Sequence, residues 1–305
     1  MQALSGNRVG KTAGGCPMKW LEFSQQVPAE FVEPVSYLFH RYGRGTAIEE
    51  TPGSDLVTLR TYLPGTSKWR RARLEVGVRL IGRIRPFPDL QVKEMEEGEW
   101  EEAWKRHFTL LHVGKHIVVK PSWIEYTPAH GEMIVELDPG IAFGTGHHPT
   151  TCMCLEALED VTRPDDIVLD VGTGSGILGI AALRLGAKRV LALDVDPVAV
   201  RAAKENFRAN GFSRSARVIR GSLPLKQAVA YHFDVGVANI NAHIIKRIAP
   251  HLADALRPGG TQVVSGILEA QAEEVRQAME ASGFQMIRTL HQEDWVALVG
   301  KRVKA

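Results

Sequence analysis

The stretch Ile167-Val168-Leu169-Asp170-Val171-Gly172-Thr173-Gly174-Ser175-Gly176-Ile177-Leu178-Gly179-Ile180 leaves this chain few ways to fold. An apolar run ends in an acidic residue, alternating glycines follow, and apolar residues then recur at helical spacing. That pattern reads as a buried parallel strand, a tight turn and the start of a helix. Glycine is needed where the backbone takes positive φ or lies against a ligand with no Cβ between. The first amides of the helix leave N–H groups pointing into the same space. The stretch therefore predicts a ligand at the carboxyl edge of an open α/β sheet.

The rest of the C-terminal part agrees. Strands are predicted over 167–171, 189–195, 216–221, 233–240 and 261–267, and helices over 177–185, 197–210, 242–256 and 269–282. Pro197 suits the first turn of its helix, while Asn210-Gly211 and Pro258-Gly259-Gly260 read as stops. Such alternation means a doubly wound parallel sheet. The closing runs, 284–291 and 295–301, read as an antiparallel hairpin added to it.

Two ligands compete for the glycines. Gly174-Ser175-Gly176-Ile177-Leu178-Gly179 formally matches the dinucleotide pattern G-x-G-x-x-G. In that fold, however, the first glycine directly follows the strand. Here that residue is Gly172, and counting from it puts Ile177 where the third glycine belongs. The other ligand is S-adenosylmethionine (SAM). Asp170 ends the first strand, placed to reach the cationic amino group of the methionine part directly or through water. Asp194, 24 positions on, ends the second strand and can accept both ribose hydroxyls. A nicotinamide dinucleotide shares that contact, so the glycine register, Asp170 and the hairpin carry the distinction. Asp196, just before Pro197, reads as a helix cap.

This combination resembles the class I SAM-dependent methyltransferases, whose fourth strand ends beside the transferable methyl. Here that strand ends Val237-Ala238-Asn239-Ile240-Asn241. The Asn239 amide is suited to orient an amine nucleophile. There is no Asn-Pro-Pro-aromatic motif of the kind used on adenine or glutamine amides, which points to another acceptor.

Ahead of this domain the text is different. Residues 1–18 have no apolar period and read as a disordered leader, with Met18 an alternative start. Residues 19–97 give a strand at 20–27, a helix from Pro28 to Gly43, strands at 46–50 and 55–63 around a 51–54 turn, a helix over 67–84 and a strand at 90–94. The order β-α-β-β-α-β is that of a small α+β, ferredoxin-like domain. Its second helix carries Lys68, Arg70, Arg71, Arg73, Arg79, Arg83 and Arg85, read either as a solvated face or as a contact for an acidic or RNA-bearing partner. Residues 98–120 read as a linker helix and connecting strands, with the methyltransferase domain over 121–305.

The net charge of +2 gives no global case for nucleic acid or membrane, and no apolar run reaches the ~18 residues of a membrane span. Cys16, Cys152 and Cys154 are too few and too odd for a disulfide framework, which favours a reducing, cytoplasmic setting. No second Cys/His pair sits at suitable spacing from Cys152 and Cys154, so no metal site is expected.

Several blocks together resemble one family, the bacterial methyltransferases of ribosomal protein L-eleven (PrmA). They are Trp100-Glu101-Glu102-Ala103-Trp104-Lys105, Pro121-Ser122-Trp123, Leu137 to Thr151, Leu169 to Gly179, Asp194 to Pro197, Ala238-Asn239-Ile240, Ser265-Gly266-Ile267-Leu268 and Trp295. The most specific is Asp138-Pro139-Gly140-x-Ala142-Phe143-Gly144-Thr145-Gly146-x-His148-Pro149-Thr150-Thr151. The resemblance implies SAM-dependent methylation of lysine side chains and the N-terminal amine of that ribosomal protein, which the small first domain recognises. It puts cofactor contacts on Thr151, Gly172, Asp194 and Asn239, to which the residue reading adds Asp170, Gly174 and Gly176, with Asn239 also catalytic. His147 stands where the family usually has Thr, and Asn241 where an apolar residue is usual. No sequence-specific nucleic-acid binding is expected. An assembly factor that binds SAM with little transfer, or a small-molecule methyltransferase, remain alternative readings.

Overall fold

The computed structural model describes residues 19–43, 46–50, 55–96, 109–137, 146, 148–224 and 232–303. The expected leader, the 51–54 turn, the linker helix and the stretch 138–145 with His147 lie outside the described residues. The chain divides into two compact units, residues 1–107 and 108–305.

In the first unit, β1 (Trp20–Pro28), α1 (Val32–Tyr42), β2 (Ala47–Glu50), β3 (Leu56–Pro64), α2 (Lys68–Ile81) and β4 (Gln91–Met95) follow one another. The strands form one antiparallel sheet of order β2-β3-β1-β4, so each β-α-β crossover is split by a strand of the other. Alternate residues Leu21, Phe23 and Val27 of β1 share a core with Val35 and Phe39 of α1 and Leu74 and Val78 of α2. Pro28 ends β1 instead of opening the helix, and a 3-10 turn over Ala29–Phe31 intervenes.

The second unit holds two sheets. The smaller joins β5 (Leu111–Val113), β6 (Ile117–Lys120) and β7 (Met133–Glu136), with β6 and β7 parallel. A linker boundary at residue 120 cuts through this sheet. Val113, Ile117, Val119 and Val135 belong to the core formed with α3 (Pro149–Val161) and α4 (Ile177–Arg184). Glu159 of α3 accepts the backbone N–H groups of Lys115, His116 and Ile117 at 2.7, 2.8 and 3.0 Å, fastening β6 to that helix.

The larger sheet contains β8 (Ile167–Val171), β9 (Arg189–Asp194), β10 (Ala216–Arg220), β11 (Phe233–Asn239), β12 (Leu256–Leu268), β13 (Phe284–Gln292) and β14 (Trp295–Arg302). Their order is β10-β9-β8-β11-β12-β14-β13. The first five are parallel, and β14 inserts antiparallel between β12 and β13. Val168, Val190 and Val237 face one core with α3, α4 and α5 (Pro197–Ala209). Leu169, Leu191 and Leu193 face the other with α6 (Ala242–Ala255) and α7 (Ala272–Ala281). Pro258-Gly259-Gly260 does not stop an element but lies within β12, where the pairing with β11 jumps from Phe233↔Leu256 to Val235↔Thr261. The order reverses between β8 and β11, which opens a crevice at the carboxyl ends of those strands.

Candidate active site at the carboxyl edge of the larger sheet

Backbone constraint shapes the loop after β8. Gly172 has φ +77°, and a Cβ there would sit 2.2 Å from Cγ2 of Ile240. The N–H groups of Gly172 and Thr173 both donate to the carbonyl of Leu193, at 2.8 and 2.9 Å, which draws the loop across the end of β9. Gly174 donates its N–H to Asp194 Oδ2 at 2.9 Å, and Asp196 donates to Oδ1 at 2.9 Å. The Asp194 carboxylate is thereby fixed while each oxygen keeps lone-pair capacity. Asp196 caps α5 by accepting from Val198 N–H at 2.8 Å, as its position before Pro197 suggested. Gly176 is the left-handed N-cap residue of α4.

Asp170, expected from the sequence to reach the amino group of the cofactor, lies in the core beneath the loop. It is fully buried, and its Oδ2 accepts from Thr173 Oγ1 at 2.6 Å and Gly179 N–H at 3.2 Å, tying the loop to the first turn of α4. Its Oδ1 is buried with no hydrogen-bond partner among the described residues. Burial pushes its carboxyl up to about 7.

Asn239 ends β11. Its Nδ2 donates to Thr151 Oγ1 at 3.2 Å, across 88 positions of sequence. Thr151 is buried in the first turn of α3. With its amino end so engaged, Asn239 keeps its carbonyl oxygen as an acceptor. Next to it, Ile240 is held between two glycines. A Cβ on Gly266, whose φ is +82°, would come 2.4 Å from the Ile240 carbonyl, and Ile240 N–H donates to Ser265 O at 3.0 Å. The only sign of this role in the sequence is Gly266 at the end of a strand-like run.

The described part of the 137–151 segment lies against α4. Gly146 sits so that a Cβ would meet Ile177 Cδ1 at 3.3 Å, and Cys152 Sγ donates to the Gly146 carbonyl at 3.1 Å. His148 is the N-cap of α3, with Nδ1 accepting from Thr150 N–H at 3.3 Å and paired with Thr150 Oγ1 at 2.7 Å. Its ring meets Trp295 edge-on, with centroids 4.9 Å apart. Burial lowers its pKa, so it stays neutral near pH 7. Asn241 is likewise a cap, accepting from His243 N–H at 2.9 Å at the start of α6. Among the described residues no cluster of His, Cys, Asp and Glu is arranged to hold a metal.

Of the expected site residues, the structure ties Gly174 to Asp194 and Gly172 to the adjoining Leu193, places Gly176 at the start of α4, joins Thr151 with Asn239, and buries Asp170 at the base of α4. A parallel sheet of this order with an inserted antiparallel last strand, and a glycine loop reaching a carboxylate on the next strand, defines a class I methyltransferase. The model of the family described as Ribosomal protein L11 methyltransferase (PrmA) matches residues 19–303. The chain belongs to that family, and is a SAM-dependent protein methyltransferase.

Curated relatives support this over nearly the full length. The chain is 40% identical to a ribosomal protein L11 methyltransferase of Herpetosiphon aurantiacus, over 93% of this chain and 99% of that one. It is also 40% identical to one of Chloroflexus aurantiacus, over 93% and 98%. Among solved structures, the ribosomal protein L11 methylase from Lactobacillus delbrueckii subsp. bulgaricus matches with a TM-score of 0.59 and 35% identity, covering 65% of this chain and all of that one. No helix among the described residues is long and apolar enough to cross a membrane.

Proposed function

We propose that this chain transfers methyl groups from SAM to lysine side-chain and N-terminal amines of ribosomal protein L11, in the cytoplasm. The observation that carries the reading is Asn239, held at the strand end through Thr151 and adjoining the glycine loop through Ile240. An amide carbonyl fixed there suits an amine acceptor. The cofactor supplies an electrophilic methyl on a sulfonium.

The residues fit that cofactor. Asp194 offers two fixed carboxylate oxygens to a ribose diol, and Gly172, Gly174 and Gly176 let the backbone approach it without intervening Cβ atoms. Thr151 serves the site by engaging the Asn239 amide, and Asp170 by holding the loop on α4. Asn239 accepts one N–H of the neutral acceptor amine and aims its lone pair along the line of displacement, so positioning supplies much of the rate. A lysine, with a reference pKa of about 10.4, first gives its proton to solvent. His148 is occupied as a helix cap, so it is not cast as the base. The first unit is the recognition module for the protein substrate. No sequence-specific nucleic-acid contact is assigned.

The test is to incubate the enzyme with methyl-labelled SAM and unmethylated ribosomal proteins and to locate the label by mass spectrometry. Label on L11 lysines and its N-terminal amine is expected. Label on another protein or on a small metabolite, or SAM binding without transfer, contradicts the reading.

A further inference from the structure

The charge of the second unit is unevenly placed. Between Arg184 and Arg220 the sequence has nine lysines and arginines against Asp194, Asp196 and Glu205, in a chain whose net charge is only +2. Topology gathers six of them on one outer rim. Arg201, Lys204 and Arg208 recur at helical spacing along α5, and Arg214, Arg217 and Arg220 lie on or beside β10, the edge strand of the larger sheet. All six are exposed. Lys204, Arg208 and Arg217 line one open groove of about 420 Å³, with the Ser213 side and Glu205 in the same lining.

These cations are not consumed by the fold. Among the described residues none of the six has a salt bridge, and Arg220 only donates to the Val195 carbonyl at 3.2 Å. On the basic helix of the first unit some of the cations are taken up by neighbours. There Arg71 pairs with Glu75, Arg85 just beyond it pairs with Glu30, and Arg73 lies over the Trp69 ring.

We infer that the α5–β10 rim is a binding surface for the phosphate backbone of RNA, read without regard to base sequence. Five of the six cations are arginines, whose planar forks pair bidentately with phosphate oxygens. Lys204 and Arg208 stand one turn apart on α5, about 6 Å along the axis, so both reach one strand of phosphates. The groove floor is Phe207, which is buried, and Ala216 and Val218, which are half-buried. Its lining holds neither a large exposed apolar anchor of the kind a protein interface centres on nor an exposed aromatic on which bases could stack. Backbone phosphates need neither. The inference does not rest on the identity of the methyl acceptor.

The experiment is fluorescence anisotropy of the full-length protein with a labelled 30-nucleotide RNA of mixed sequence, titrated at about 50 and about 200 mM salt. Binding is expected at the lower salt, weakening at least tenfold at the higher, as counterion release requires. Lys204→Glu/Arg208→Glu/Arg217→Glu should bind at least tenfold more weakly and lose about 2–3 from the slope of log affinity against log salt. An Arg70→Glu/Arg79→Glu/Arg83→Glu variant of the first unit should bind RNA as the parent does. Thermal melting and SAM affinity of both variants should match the parent, which excludes misfolding. Absence of RNA binding by the parent, equal loss in both variants, or equally tight binding of a polyglutamate chain of the same charge would overturn the assignment, the last in favour of an acidic protein partner.

Discussion

Asp170 and Asp194 end neighbouring parallel strands, yet one is sealed in the core and the other stands at the open edge. Strand register explains the difference. Asp170 pairs with Ala192, so Asp194 reaches two residues further, about 6.6 Å, toward the carboxyl edge. Asp170 also points to the face covered by α4, where Thr173 and Gly179 engage it. Asp194 instead accepts two backbone N–H groups at the rim. An acid at a strand end is thus set in two different ways, as a structural tie when a helix turn covers it and as an oriented carboxylate at the open edge when only a loop holds it.

The largest effect is expected at Asn239, at the end of the adjoining strand β11. Asn239→Ala should lower kcat by about 10²-fold or more, on the scale of losing one oriented transition-state contact. Calorimetric SAM affinity should stay within about threefold of the parent, because the residue's main work is on the amine. Unchanged kcat would remove Asn239 from the reaction.

Gly172→Ala probes the loop that bridges the two acids. The new Cβ meets Ile240 in a left-handed backbone, so SAM affinity should fall at least tenfold. Adding Ile240→Ala should recover part of the loss by removing the clash but not the backbone strain. Full recovery would show that packing alone demands glycine there.

The buried acid has a pH signature. With its carboxyl pushed up to about 7 by burial from an unperturbed 3.8, Asp170 keeps its proton in the fold while the unfolded chain releases it. The native state then binds more protons between roughly pH 4 and 7, so stability from this group falls as pH rises through that window. Asp170→Asn lacks this slope. Its melting temperature relative to the parent should be lowest below about pH 4, rise through pH 5 to 7 and exceed the parent's by several degrees near pH 8. Parallel melting curves across pH would contradict the burial argument.

The smallest effect belongs to Asn241, which sits near the site but serves as a cap. Asn241→Ala should cost about 1 kcal/mol, or roughly 2–4 °C of melting temperature, with transfer unchanged. Lost transfer at intact stability would place Asn241 in acceptor recognition.

Much of this is legible in the sequence. Glycine spacing and strand–helix alternation are local signals, and they located β8, α4, β9 and the Asp196 cap to within a residue or two. What escaped was set by tertiary pairing. β7 went unseen because four residues, Met133–Glu136, carry too little pattern, and its parallel partner β6 was placed in the linker. The depth of Asp170 depends on register with β9, and Thr151 meets Asn239 only through packing of α3 on the sheet. Family resemblance pointed to Thr151 without revealing its hydrogen bond to Asn239.

Isothermal calorimetry of SAM against the parent, Asp194→Ala and Asp170→Asn at pH 7 tests the contrast between the two acids most directly. Loss of the charged acceptors at Asp194 should weaken binding by about 10- to 100-fold, on the scale of ~1.5–3 kcal/mol for hydrogen bonds to a charged group. Asp170→Asn, which keeps an acceptor for Thr173 and Gly179, should stay within about threefold of the parent. Equal losses in the two variants, or a larger loss at Asp170, would contradict the account.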